Sequence, residues 1–351
     1  MAGENTVTTL NGLFKELYAD SISDVKPKGL HLNRDISFVE RDKMPGNEFH
    51  QPVSLTHEHG FSYANAASGA FTLNPAVAHN MKDAKIVGTQ VVLRSRIDYE
   101  TAARASSGGK RAFRQAMDVV VENMNDSFRK RNELDFLYGQ VGLGTIDTLA
   151  GQVITLNEAD WATGIWAGQE GAIINAYSKT TSTATLKEGD VTITKVDVAN
   201  RALTVTGDVA AFTDDDILYF KGQRVLATNG AHNVFKGLDS LISATTGTVL
   251  NIDVASYSLW AGNQSPIVTN LAFSHVNQAA ALANGKGLDE DVNLYINPEV
   301  WADLLNDEAA LRRHHSAAGE GAFRVGGEGI EFFSQNGSIM IKSSRYVKLS
   351  R

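Results

Sequence analysis

The longest regular hydrophobic pattern of the chain lies between residues 110 and 138. This stretch contains neither Pro nor Gly, and its apolar residues recur every three or four positions, as on one face of a helix. The side chains expected to be buried on this face are Phe113, Met117, Val120, Met124 and Phe128. The charged residues Arg129, Lys130 and Glu133 fall on the other face, so we expect them to face solvent. Such a helix would be roughly 40 Å long, and we interpret it as a spine for other elements, the alternative being a long core helix of an ordinary enzyme.

The chain before this helix has two different patterns. Residues 1–50 scatter short apolar clusters among charges, including Leu13, Phe14 and Phe38, and cannot bury enough surface alone. Residues 51–97 alternate apolar and polar positions around a polar tip at 65–83, and 86–97 is rich in β-branched residues. The patterns predict an arm followed by a hairpin, which either reaches a partner or folds back on its own domain.

The chain after the helix changes from short strands to a mixed pattern. Within 152–222 the segments 191–196, 202–206 and 217–220 alternate as strands, which predicts a small β-barrel or sandwich inserted with its own core. Residues 223–268 are rich in loop-forming residues. Residues 269–342 predict a helix over 271–284, a strand over 292–296, a helix that begins at Asn297-Pro298, and a hairpin around Asn336-Gly337. The chain therefore belongs to the α+β class.

The amino-acid composition excludes some kinds of site and argues against some classes of protein. There is no cysteine, which excludes disulfides and thiolate metal sites, and the net charge of −8 argues against a general nucleic-acid binder. No run of 18 apolar residues occurs, and the first residues lack the pattern of a signal peptide. We expect a protein used inside a cell or in a particle assembled there, with no membrane partner.

Candidate catalytic or metal-binding groups are few. His57 and His59 flank Glu58 and would share one face of a strand, but no third ligand is evident. The carboxylates of 214–216 and the pair at 314–315 are typical of solvated loops, and no catalytic motif is present. We therefore expect no enzyme activity, no catalytic residue, no metal and no cofactor.

Several local stretches, in this order, resemble one known family. They are RNELDFLYGQVGLG at 131–144, DILYFKGQR at 216–224, FKGL at 235–238, VLNIDVASYSLWAG at 249–262, DVNLYINPEVWADLL at 291–305 and the late hairpin at 330–341. Together with the arm, the hairpin and the β-rich insert, they resemble the major capsid protein of tailed bacteriophages, which has the HK97 fold. No single stretch is specific, whereas the ordered set is.

The resemblance implies an HK97-like organisation of the chain. The parts are an N-terminal arm (1–50), an extended loop (51–97), a peripheral domain with the spine helix (98–151), a β-barrel-like insertion domain (152–222), a mainly axial α+β domain (223–342) and a return towards the peripheral domain (343–351). The residues expected at contacts between subunits are Leu13, Phe14, Phe38, Phe61, Tyr63, Phe71, Arg312 and Arg313.

The resemblance also implies a structural role. The chain would assemble with many copies of itself into hexamers and pentamers of an icosahedral virion capsid around double-stranded DNA, in the cytoplasm of a bacterial host. Scaffolding, portal and decoration proteins are further expected partners, and DNA would meet the inner surface without sequence specificity. The alternatives are an encapsulin-like compartment shell and, from another class, a hydrolase or carbohydrate-binding protein with a β accessory domain.

Overall fold

The fold was analysed on a computed structural model of the chain. It describes residues 29–36, 48–67, 69–96, 110–179, 186–187, 190–224, 232–267, 270–305, 329–334 and 337–350, with only the backbone of 110–119 and 329–334. These parts form a mixed α+β structure that contains a six-stranded antiparallel barrel.

The described elements include the helices predicted at 110–138, at 271–284 and after Asn297, together with short helices and strands that the sequence patterns did not predict. The helices are α1 (Leu32–Asp35), α2 (Lys110–Tyr138), α3 (Thr163–Trp166), α4 (Leu238–Ile242), α5 (Phe273–Asn284) and α6 (Pro298–Leu305). The strands are β1 (Glu48–Ser54), β2 (Met81–Val87), β3 (Gly144–Ala150), β4 (Val153–Leu156), β5 (Ile173–Tyr177), β6 (Val191–Asp197), β7 (Ala202–Thr206), β8 (Ile217–Phe220), β9 (Thr248–Val249), β10 (Ile252–Asp253), β11 (Val292–Ile296), β12 (Gly329–Ser334) and β13 (Gly337–Ser343). None of the described helices has the length and apolar character needed to cross a bilayer.

The barrel closes in the strand order β3-β4-β7-β6-β5-β8. Alternation along the strands sends one set of side chains inwards, so Leu203 and Val205 of β7 are buried and Thr206 is exposed. Closure depends on β3, which pairs with β4 on one side and with β8 on the other. The barrel therefore includes one strand, β3, that precedes the expected start of the insert at residue 152.

The C-terminal part of α2 packs against the barrel. Leu134 and Tyr138 share one buried cluster with Ile146, Trp166 and the other barrel residues. The chain turns from α2 into β3 through Gly139, where an added Cβ would lie 2.1 Å from the carbonyl oxygen of Phe235. This close approach of two backbones fixes the position of the helix end relative to the loop before α4.

The burial of α2 corrects the expected helix faces. Val120 and Met124 are partly buried, but Phe128 is 42% exposed, so it is not a core residue of this chain. The side chains of Phe113 and Met117 lie outside the described part. Glu133 was expected to face solvent and is instead 1% exposed, because a backbone segment of the N-terminal region covers it.

The α+β unit forms a second core. β11 pairs with β13 in parallel, and β12 pairs with β13 antiparallel up to Ser334↔Gly337, as the predicted late hairpin requires. Residue 336 of the predicted turn lies outside the described residues. Asn297 caps α6 by accepting a hydrogen bond from the N–H of Glu299 at 2.9 Å. The buried side chains of this core are Phe273, Val276, Ile296, Leu304, Ile339 and Ile341.

The hairpin of β1 and β2 differs in extent from the expectation. The two strands pair antiparallel from Glu48↔Val87 to Ser54↔Met81. The strand expected over 86–97 is wrong, because β2 ends at Val87 and the described residues 88–96 form no strand. β-branched residues at 91 and 92 are therefore exposed without strand pairing.

Candidate interaction surface

Among the described residues, the hairpin packs on the body at its base. Leu55 and Ala84 are buried against Ile252, with Val53 and Trp260 packed around them. The N–H of Lys85 donates to the carbonyl of Leu250 at 2.8 Å, and Asn80 Nδ2 donates to the Tyr257 hydroxyl at 2.9 Å. A two-stranded sheet is marginal alone in water, so this small core holds the hairpin in place.

The tip beyond the base is held by hydrogen bonds rather than by buried side chains. His59 and Val77 exchange both backbone hydrogen bonds, at 2.9 and 2.7 Å. Further along, the N–H of Asn74 donates to Ser62 Oγ at 2.6 Å, and its side chain donates to the carbonyl of Phe61 at 2.7 Å. The backbone of the tip is thereby ordered while its apolar side chains stay in solvent.

The hairpin and the segment that follows it together carry most of the large apolar side chains that are exposed in the described chain. Eleven of the twenty large apolar side chains that are exposed there lie between Phe61 and Leu93. Phe61 is 70% exposed, Tyr63 89% and Leu73 72%. Scattered exposed apolar residues are normal, whereas such a concentration makes this region a candidate interaction surface.

A segment of the N-terminal region contacts the long helix through a buried carboxylate. Glu133 accepts hydrogen bonds from the backbone N–H groups of Leu32 and Asn33, at 2.9 and 2.8 Å. Burial raises the pKa of Glu133, and the two backbone donors offset only part of this rise. The contact satisfies two amide groups that would otherwise be buried without acceptors.

The same segment is joined to the α+β sheet by an ion pair. Lys342 Nζ lies 2.6 Å from Asp35 Oδ2, and the Tyr295 hydroxyl donates to the same oxygen at 2.7 Å. Burial raises the pKa of Asp35, but the hydrogen bonds from Lys342 and Tyr295 outweigh this effect and lower the pKa below its ordinary value. At least residues 29–36 of the expected arm are thus part of this chain's own body.

The C-terminal residues connect the long helix, the barrel and the sheet. Lys348 is 2% exposed; its Nζ donates to the carbonyl of Gly142 at 3.1 Å and lies 3.5 Å from Asp160. Its backbone N–H donates to the Tyr138 hydroxyl at 2.8 Å, and that hydroxyl donates to the carbonyl of Tyr346 at 3.0 Å. These contacts make residues 344–350 part of the main core.

A cavity of about 600 Å³ lies beside the long helix, where the barrel and residues 90–93 line it together. Lys130 donates to the carbonyl of Ala167 at 2.7 Å, and burial lowers its pKa to about 8 with a contribution from the neighbouring Arg131. Asp135 accepts a hydrogen bond from Gln223 at 2.7 Å. Burial raises the pKa of Asp135 to about 6, although the charge of Arg131 acts in the opposite direction.

The structure brings together only some of the residues expected at subunit contacts. Phe61, Tyr63 and Phe71 lie on the exposed tip of the hairpin. The other residues lie outside the described part of the chain: Leu13, Phe14, Phe38, Arg312 and Arg313.

The buried polar residues of the long helix were missed from the sequence. Glu133 and Asp135 lie in RNELDFLY, where a helical charge pattern indicates a solvated face. Their partners are about 100 and 90 positions away along the chain. No signal in the local sequence distinguishes them from exposed charged residues of the same helix.

The histidines of the hairpin were considered in the sequence as candidate metal ligands. Glu58 lies 3.2 Å from His79 Nδ1, an exposed pair. Among the described residues no group of three or more His, Asp or Glu side chains is placed to hold a metal ion.

Comparison of the chain with known protein families, with curated proteins and with solved structures gives no match.

Proposed function

We propose that the chain is the major capsid protein of a tailed bacteriophage, with the HK97 fold, and that copies of it build an icosahedral shell around double-stranded DNA. The observation that carries this proposal is the concentration of exposed apolar side chains on the hairpin. The ordered stretches of the sequence that resemble this family also support the proposal. So does the order of the elements, in which the barrel follows the long helix along the chain.

Burial of the hairpin tip against a second copy of the chain would supply free energy for assembly. Burial of a large apolar side chain contributes about 1.5–3 kcal/mol. Phe61, Tyr63, Phe71 and Leu73 are each more than half exposed in the isolated chain. Contact of these side chains with a second copy would therefore favour association without any change in the body.

The open edges of the hairpin support the same role. Within the described residues, β1 and β2 pair only with each other, so their outer edges keep unpaired backbone groups. An edge of this kind can accept a strand from another chain. A shell repeats one such contact many times, so that weak single contacts sum to a stable particle.

Electron microscopy of the purified protein, together with sedimentation velocity, tests the proposal. We expect closed shells or ring-shaped capsomers, with or without a co-expressed scaffolding protein. A monodisperse monomer under all these conditions would contradict it. Nucleic acid inside particles from the native source supports a phage capsid, whereas a packaged enzyme would identify an encapsulin-like compartment.

A further inference from the structure

The cavity beside the long helix has the size and lining of a small-molecule site. Its volume of about 600 Å³ falls within the range of about 300–1,000 Å³ that is usual for such sites. Apolar side chains form much of the lining, including Phe128, Val234 and the segment 91–93. Phe128, which the helical pattern assigns to a core, lines this cavity instead.

Arg131 is the distinctive polar group of the lining. The central carbon of its guanidinium lies 3.2 Å from the centre of the Phe220 ring, so the ring supports one face of the group. Burial lowers the pKa of Arg131 to about 10, which still leaves it charged at neutral pH. In the part of the chain that the structure describes, no oxygen atom accepts a hydrogen bond from its N–H groups.

Three other charged groups of the lining already have protein partners. Lys130 donates to Ala167, Lys221 pairs with Asp190, and Asp135 accepts from Gln223. Asp135 attracts Arg131 through space but forms no ion pair with it. The lining as a whole contains four cationic groups, Arg129, Lys130, Arg131 and Lys221, against the carboxylates Asp126 and Asp135.

We propose that this cavity binds a small organic anion, with its phosphate or carboxylate held by Arg131 and its apolar part against Phe128 and residues 91–93. A guanidinium binds such groups through two parallel N–H···O hydrogen bonds, which are stronger than neutral ones. Arg131 is half-buried, and a bound oxyanion would supply the charged acceptor that its N–H groups lack among the described residues. The site does not depend on the proposed shell function, since all its residues belong to one chain.

Isothermal titration calorimetry of the full-length protein tests this site with phenyl phosphate, benzoate and phenol. We expect at least one of the two anions to bind with a Kd below about 1 mM and phenol to bind at least about tenfold more weakly, because it lacks the oxyanion. Phenyl phosphate and benzoate separate a phosphate ligand from a carboxylate ligand. Absence of binding by both anions, or equal binding of phenol, overturns the proposal.

Two variants and a control locate the binding. R131Q should weaken anion binding at least about tenfold, whereas K195Q, which removes an exposed charge on β6, should leave it unchanged. Ser127 is an exposed residue of the lining, and S127W should block the cavity with little effect on the thermal midpoint of the free protein. Anion binding that survives either R131Q or S127W overturns the assignment to this cavity, and S127W decides the matter if R131Q fails to fold.

Discussion

The barrel and the hairpin are both antiparallel β-structures, yet they differ in what they leave exposed. Every barrel strand has a neighbour on each side, and Ile154, Ile193 and Leu218 inside it have no exposed area. The hairpin has two strands, and its small core contains only Leu55 and Ala84 of its own residues. A closed sheet satisfies its backbone and buries its apolar face within one chain, whereas an open hairpin needs another surface to do the same.

The two regions also differ in how they connect to the rest of the chain. The barrel shares its core with the long helix and the C-terminal residues, so its stability belongs to the whole body. Among the described residues, the buried contacts of the hairpin with the body are those around Ile252, so we expect changes at its tip to affect the core little. This separation lets substitutions distinguish folding from association.

The largest effect is expected inside the barrel. Trp166 has no exposed area, and Trp166→Ala should lower the free energy of unfolding by about 3–5 kcal/mol, since a large cavity replaces the indole. Phe61→Ala, the matched change on the hairpin tip, should alter it by less than about 0.5 kcal/mol. Urea denaturation of both variants measures this difference, and equal losses would remove the distinction between the two regions.

The second-largest effect is expected in how the free energy of unfolding changes with pH. The pKa of Asp135 is raised from 3.8 to about 6 in the folded chain, so the folded state keeps a proton that the unfolded state has lost. The stability contributed by this proton is complete below about pH 4 and is lost as the pH rises to about 6. The loss is up to about 3 kcal/mol, because one pKa unit corresponds to about 1.36 kcal/mol.

Denaturation at several pH values compares the native chain with Asp135→Asn, which still offers an acceptor to Gln223. Relative to that variant, the native chain should lose stability between pH 4 and pH 6. If the free energy of unfolding of the two proteins changed with pH in the same way, this would contradict a raised pKa of Asp135 in the folded chain.

A smaller effect is expected where the N-terminal segment meets the long helix. Glu133→Ala leaves the N–H groups of Leu32 and Asn33 without their acceptor and should cost about 2 kcal/mol. Glu122→Ala, an exposed position on the same helix, serves as the control and should be nearly neutral. Faster hydrogen exchange at Leu32 and Asn33 in the first variant alone would locate the effect, whereas identical exchange in both would contradict this contact.

Local patterns predicted the regular elements well because their causes are local. The helix Lys110–Tyr138 follows from unbroken periodicity, and the antiparallel pairing of β12 with β13 follows from the turn signal between them. The cap at Asn297 likewise depends on neighbouring residues only. The barrel strands β6, β7 and β8 were found from alternation, which closure of the sheet preserves.

Contacts between distant parts of the chain could not be predicted in the same way. β3 carries no strong alternation, and its role appears only once β4 and β8 lie on both sides of it. Lys348 and Glu133 are charged residues that are buried by partners far away in sequence. Phe128 fits the helical stripe but lines a cavity, because the barrel covers only the C-terminal part of the helix.

The central claim is that the hairpin tip drives association while the body folds without it. The double variant Phe61→Ser/Tyr63→Ser should keep the thermal midpoint of the monomer, and electron microscopy and sedimentation velocity should show a loss of shells of at least about tenfold, since about 1.5–3 kcal/mol per side chain is removed. The control Val198→Ser/Ile242→Ser, which changes two exposed apolar residues outside the hairpin, should assemble normally. Shells formed by the hairpin variant at the native yield would contradict the claim.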